Sequence, residues 1–396
     1  MSGTMQRNFD VVIIGGGAVG SSIAYFLGAN PDFKGSVAVV ERDPQYERAS
    51  SSLSTSAIRQ QFGTPPNIAM SAYSIEFLRE AKQRLSTADA PAEISLREQG
   101  YLILGAPEHV AAFEERHAVQ RACGCATQLL SPNEMKQRFP WLNVEGVGIG
   151  AYGPEKEGWF DGPGLMQAYK RKARALGATY IAAEAVGLEK STPGKIDAVL
   201  LNTGEKLGAG IVVNAAGCWS GQIARMAGTT LPVVPRKRCI FVFDSPEKIP
   251  HAPFLFDPGG ALFRPEGHLY ICGIDPLTEN ADDDFSMEVD YDIFDELIWP
   301  ALANRVPGFE QLKMLRAWAG LYEYNLFDHS GVIGRHPDIS NFIFSTGFSG
   351  HGMMHSPATG CSTSELIIYG ESRSLDIAAF AYERIAENRP IVEHVY

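Results

Sequence analysis

The chain of 396 residues exceeds the ~250–300 at which a single core stops growing, so more than one domain is expected. Apolar residues make up 45% and charged residues 20%, ordinary globular usage that excludes a disordered or fibrous chain. Lys plus Arg number 34 against 46 Asp plus Glu, and the net charge of −12 lacks the basic footprint of a nucleic-acid partner and would be repelled by an anionic membrane surface.

In chain order, residues 9–14 (FDVVII) form a β-branched run suited to a buried parallel strand. Gly15, Gly17 and Gly20 follow as G-x-G-x-x-G, with Ala18 and Val19 between, and residues 21–27 read as a helix. Residues 36–40 make a second strand that ends in Glu41. Each part has a physical task. Gly15 allows the tight turn, Gly17 lets backbone approach a pyrophosphate, and Gly20 permits close helix–strand packing. The helix N-terminus offers N–H groups and partial positive charge to phosphates, and Glu41 is placed to accept hydrogen bonds from a ribose diol. An acid there argues against the 2′-phosphate of NADP. The stretch 11–27 is apolar but broken by three glycines. It lacks a leader-like basic segment and is shorter than the ~20 residues of a spanning helix, so no integral membrane segment is expected.

Further along, the small-residue stretch 49–59, the segment 210–217 with Trp219, and the glycine-rich 347–352 are suited to backbone lying against a flat ligand. A cofactor touched at the start, middle and end of a chain is long, which favours FAD over NAD. Residues 165–176 read as an amphipathic helix stopped by Gly177, and 179–182, 239–243 and 268–272 as strands, with a turn at Gly259-Gly260. The acidic, amphipathic segment 286–303 reads as a helix with a solvated face. Six cysteines are too few for a disulfide framework, and Cys123 and Cys125 form C-x-C rather than C-x-x-C, so reduced thiols and a cytoplasmic location are expected. His351 and His355 have no third ligand beside them, so no metal site is expected.

Six motifs in order carry a resemblance: VVIIGGGAVGSSIAYFL with Glu41, then 56–59 (SAIR), 158–161 (GWFD), 214–219 (NAAGCW), 318–322 (WAGLY) and 347–352 (GFSGHG). With these the chain resembles the FAD-dependent amine and amino-acid oxidoreductases of the D-amino-acid oxidase superfamily, on the sarcosine, glycine and iminodiacetate oxidase side. The resemblance covers nearly all of it. It implies an α/β fold with a Rossmann-type FAD-binding domain (1–90, 160–232, 325–396) and an antiparallel-sheet substrate domain (91–159, 233–324), the architecture of glutathione-reductase-like flavoproteins. It places FAD against Gly15, Gly17, Ala18, Val19, Gly20, Glu41, Arg42, Ser51, Ser52, Thr55, Ser56, Val186, Ala215, Ala216, Gly217, Trp219, Gly347, Gly350, His351, Gly352, Met353 and Met354.

The implied activity is oxidation of the C–N bond of a small amino acid by hydride transfer to flavin N5. Hydrolysis of the imine then gives an oxo acid or aldehyde plus an amine. An N-substituted glycine such as sarcosine, iminodiacetate or an opine is the expected substrate. No general base is required, because the flavin carries the chemistry, but a carboxylate anchor is. Arg59 matches the family's arginine after the first flavin loop, its other reading being a surface or phosphate-binding arginine. Arg264 is a second anchor or an edge-strand charge. Tyr322 lines the substrate cavity or is a core tyrosine. His351 lies where the following helix would point its positive end at the flavin. Two departures concern covalent attachment and oxygen. Gly320 stands where relatives carry an attaching cysteine, so FAD is expected to be non-covalent. Relatives carry a lysine at Met354, so one of their substrate-carboxylate contacts is not expected here, and another before Ile274-Asp275-Pro276 tied to oxygen, whose absence leaves the acceptor, oxygen or another, open. An oxidase is expected over a dehydrogenase. An acceptor-linked dehydrogenase, a subunit of a heteromeric opine or sarcosine oxidase, and a non-catalytic FAD-binding assembly factor are the alternatives, with the oligomeric state open.

Overall fold

The computed structural model describes residues 6–393. The β-branched run near the N-terminus is the central strand Gln6–Ile14, with Val11 to Ile14 buried because parallel neighbours flank it on both sides. The order across the first sheet is Val332–Arg335, Phe342–Thr346, Lys206–Asn214, Gln6–Ile14, Val37–Glu41 and Thr179–Ala182. All of these are parallel except the antiparallel edge strand Val332–Arg335. Ala198–Leu201 and Ala185–Glu189 extend Lys206–Asn214 as an antiparallel branch. Helices Ala18–Ala29, Gly162–Ala175 and Gly352–Tyr369 pack together on one face. Gly360 makes that contact close, since a Cβ there would lie 2.1 Å from the Ser22 hydroxyl.

The second sheet runs Lys313–Asn325, Val233–Asp244, Leu269–Gly273, Leu262–Glu266, Phe254–Phe256, Tyr101–Gly105, Ile149–Gly153 and Gln128–Leu130. Its neighbours are antiparallel except for Phe254–Phe256 beside Tyr101–Gly105. A phenylalanine-rich core including Phe241, Phe243, Phe263 and Phe309 fills one face. Each such ring buried from water contributes on the order of 1.5–3 kcal/mol. The structure therefore has the expected α/β class, a Rossmann-type parallel sheet with an antiparallel companion.

A two-residue pair joins the layers: Ala57 pairs with Trp159 and Ile58 with Gly158, antiparallel. This register sets Arg59 and Glu157 opposite one another at the pair's end. The apolar stretch 11–27 resolves into strand end, glycine turn and helix, and among the described residues no helix is long and apolar enough to cross a membrane. The expected helix at 286–303 is corrected at its start. Residues 286–290 carry no helix, a π turn spans Phe294–Ile298, and the α-helix covers Trp299–Arg305. Helical turns run on from 292 to 305, with Phe294, Ile298 and Leu302 in the phenylalanine core and Asp295, Glu296, Trp299 and Pro300 exposed, so the expected solvated face is present and only the start of the helix shifts.

Candidate active site

The glycine turn is shaped by what each missing Cβ would meet. Gly15 has φ +101°, and a Cβ there would sit 2.2 Å from the Ala215 carbonyl oxygen. A Cβ on Gly20 would sit 1.9 Å from the Gly15 carbonyl oxygen, which is how the helix comes tight against the turn. At Gly17 a Cβ would approach only the Ser51 hydroxyl, at 3.1 Å, so the backbone there is open to a ligand. The Ser51 hydroxyl accepts from the Ala18 N–H at 2.9 Å. Helix geometry leaves other first-turn N–H groups, Val19 among them, without intrahelical partners. Glu41 accepts from Gly16 N–H at 2.7 Å and Asp43 N–H at 2.8 Å, and burial raises its carboxyl above the ordinary range. Two of about four lone-pair sites are thus used, leaving room for a diol. Nearby, the buried Tyr46 hydroxyl has no hydrogen-bond partner among the described residues.

The later segments converge on this turn. Ala215 N–H donates to the Ile14 carbonyl at 2.9 Å, Ala216 N–H to the Asn214 side chain at 3.3 Å, and Gly217 (φ +58°) faces open space. The Arg42 guanidinium lies 3.6 Å over the Trp219 ring, which stacks on Phe285, and pairs with Glu184. Val186, two residues beyond, is half-exposed on its strand. Ser52 N–H donates to the Ala49 carbonyl, and Ser56 takes φ +56° to turn the chain into the 57–58 strand. At the C-terminal motif the Gly347 N–H and Thr346 hydroxyl donate to Glu323, which burial raises above the usual carboxylate range. Met353 and Met354 begin the helix after His351 and Gly352 with side chains buried in the core.

Arg59 is half-buried and makes no ion pair among the described residues. Its Nη1 donates to the Gln61 carbonyl, its Nη2 lies 3.1 Å from His351 Nε2, and its guanidinium sits 4.1 Å over the Phe62 ring. Since the guanidinium donates, His351 Nε2 accepts, as a neutral imidazole does. Burial first, then the Arg59 charge, holds His351 well below the ordinary histidine value and His355 at about 3. Behind the loop, Glu157 is buried and accepts from Gln60 N–H and Gln61 Nε2, each at 2.7 Å. Burial pushes its carboxyl up to about 7. Tyr322 places its ring against Gly350, where a Cβ would lie 2.7 Å from Cε2, and its hydroxyl makes no hydrogen bond among the described residues.

Arg264 is brought near but not left free. Its Nη2 donates to the Thr55 carbonyl at 3.0 Å, and its Nη1 to the Pro265 carbonyl and to Glu266. It braces the 55–58 turn, and its anchor role has few donors left. The guanidinium over Tyr322 is that of Arg238, 5.2 Å from the ring and paired with Asp275 and Glu279. A Cβ on Gly320 would face Leu53, and one on Gly273 would lie 3.2 Å from Cys239 O. All six cysteines are free thiols. The sequence reading missed Phe62, Gln61, Glu157 and Glu323; its one available signal was Glu157 standing just before the 158–161 motif.

A Rossmann-type turn that leaves the backbone open at Gly17, with Gly217 also open and a fixed acid at the second strand's end, fits a dinucleotide. Joined to an antiparallel sheet bearing Tyr322, it is the architecture of a flavin-dependent oxidoreductase. The chain belongs to the family described as FAD dependent oxidoreductase (DAO), whose profile matches residues 10–366, and FAD is its cofactor. It is 40% identical to FAD-dependent oxidoreductase domain-containing protein 1 of Xenopus laevis, over 97% of this chain and 84% of that protein. It is 27% identical to mitochondrial sarcosine dehydrogenase of Mus musculus, over 97% of this chain but 42% of that one. In structure it is similar to L-proline dehydrogenase from P. horikoshii, with a TM-score of 0.86, 27% identity, and 98% and 100% of the two chains covered.

Proposed function

We propose that this chain oxidises the C–N bond of a small amino acid with one carboxylate and an N-substituted amine, of the sarcosine or proline type. The carrying observation is Arg59, a half-buried guanidinium with no carboxylate partner among the described residues, set between a neutral histidine and the Phe62 ring. Such a group accepts a substrate carboxylate through charge-assisted hydrogen bonds. The names of similar proteins, sarcosine dehydrogenase and L-proline dehydrogenase, support the secondary-amine class. A dicarboxylic substrate such as iminodiacetate or an opine would need a second cation, and both terminal nitrogens of Arg264 are already bonded, to Thr55, Pro265 and Glu266, leaving only its buried Nε without a partner among the described residues.

FAD, held non-covalently by the 15–20 turn, Glu41 and the 215–217 turn, supplies the hydride acceptor. Arg59 fixes the carboxylate, Phe62 and Tyr322 exclude water from the reacting carbon, and neutral His351 adds no positive charge that would repel an ammonium substrate. The product imine hydrolyses in solvent. We favour an acceptor other than oxygen, because Arg238, the cation over Tyr322, is neutralised by Asp275 and Glu279.

The test compares sarcosine and L-proline with dimethylamine and pyrrolidine, the same amines without a carboxylate, using an artificial acceptor and oxygen in parallel. Turnover confined to the carboxylate-bearing amines, and faster with the artificial acceptor, is expected. Equal use of the carboxylate-free amines would remove Arg59 from the account.

A further inference from the structure

The Glu157 carboxylate is the second charge of the Arg59 site, yet the two do not touch. Both its oxygens are held, by Gln60 N–H and by Gln61 Nε2, while Gln61 also passes its carbonyl to Arg59. Glu157 makes no ion pair among the described residues. Its neighbour Lys156 turns outward to Glu76 at 3.2 Å. The groups that face it are Arg59 from the loop, Tyr101 from the strand Tyr101–Gly105, and Cys125 from the turn after helix Val110–Ala122. The ligand-free cluster is therefore balanced, one guanidinium against one buried carboxylate. A substrate carboxylate upsets that balance by one negative charge inside a poorly solvated site, and like charges there cannot both stay ionised without cost.

We infer that Glu157 is the proton acceptor of substrate binding: as a carboxylate settles on Arg59, Glu157 takes one proton from solvent and the site stays neutral. This rests on the reading of Arg59 as the carboxylate anchor. One O–H bond forms and no electrons move. Turning the Gln61 amide over would bring its Oε1, which has no partner among the described residues, to a protonated Glu157, at the cost of the 3.3 Å bond from Nε2 to the Tyr101 carbonyl. Burial holds Tyr101 protonated and Cys125 at about 12, so neither competes near neutrality, whereas Glu157 sits at about 7.

The experiment uses the FAD-loaded protein and sodium acetate, a carboxylate with no amine. Affinity is read from the flavin spectrum, and proton uptake from calorimetry in buffers of different ionisation enthalpy. If acetate raises the Glu157 pKa by about one unit, roughly half a proton is taken up at about pH 7.5, and acetate binds about tenfold tighter at low pH than at high. Glu157→Gln is expected to take up none and to bind with the tighter affinity at every pH. Uptake that persists in Glu157→Gln, through His351 for example, or acetate binding to the wild type without uptake, overturns the inference. Should Glu157→Gln fail to load FAD, infrared difference spectra of the wild type with isotope-labelled acetate decide. A new protonated carboxyl band is expected and its absence is contrary. Acetate binding undiminished in Arg59→Met, or no acetate binding by the wild type, would instead sink the anchor reading.

Discussion

Arg59 is held by one carbonyl, one imidazole and one ring, and none of these carries the negative charge a guanidinium ordinarily meets when it leaves water. Removing it while keeping the stem, as Arg59→Met, loses a charge-assisted pair of about 1.5–3 kcal/mol, so KM is expected to rise roughly ten- to a hundredfold. FAD content should be unchanged, because Arg59 is not among the groups that shape the glycine turn. The same cluster sets an acid–base signature for stability. His355 at about 3, and His351 also lowered, bind protons more readily when unfolded, so they add stability above the ordinary histidine range that fades as pH falls below about 6.5. Glu157, raised to about 7, works in the opposite sense: it stabilises at low pH and is lost as pH rises from about 4.5 to 7. The two trends offset one another in the wild type. In Glu157→Gln the histidine trend is unmasked, and unfolding free energy should fall more steeply than in the wild type between pH 6.5 and 4.5, by about 1.4 kcal/mol per pH unit. Denaturant titrations across that range check it.

At the scale of elements, the glycine turn separates a packing glycine from a ligand glycine. Gly20→Ala drives a methyl to within 1.9 Å of a backbone oxygen that cannot yield, so a stability loss of about 1–3 kcal/mol or more is expected. Gly17→Ala meets only the end of a flexible serine, so the apoprotein should keep its melting temperature while FAD affinity falls; equal loss in both variants would contradict this division. This turn was legible in the sequence because strand, turn, helix and acid are consecutive, each dictated by local chemistry. The loop from Arg59 to Phe62 was legible only at Arg59. Glu157 meets Gln60 across 97 positions, and nothing local in either segment announces the two-residue strand pair that aligns them. The segment 286–303 was legible except for where its helix begins. Its acidic periodicity is real, and Phe294, Ile298 and Leu302 are claimed by a core assembled from strands far away in the chain.

Across the whole molecule, the C-terminal segment is tied back to both the sheet and the site. The side chains of Arg384 and Asp328 are essentially buried and meet through two hydrogen bonds of 2.8 and 3.0 Å, while Asp328 also accepts from Asn325 and Ile391. Arg384→Met strands that carboxylate without its cation and should cost about 3–5 kcal/mol, which thermal unfolding would register. Further on, Glu393 accepts from Gly63 N–H, Thr64 and Asn67, so the segment reaches the far end of the Arg59 loop. In the proposed reading the parallel sheet holds the cofactor, the antiparallel sheet presents Tyr322, and the 57–58/158–159 pair sets Arg59 beside the site. The central claim, that this arrangement oxidises a carboxylate-bearing secondary amine, is tested most directly by adding sarcosine or L-proline to the FAD-loaded protein without air and watching the visible flavin band. The account predicts bleaching by at least one of them, lost in Arg59→Met at the same concentration. A flavin that stays oxidised with both, or that bleaches equally in the variant, would contradict it.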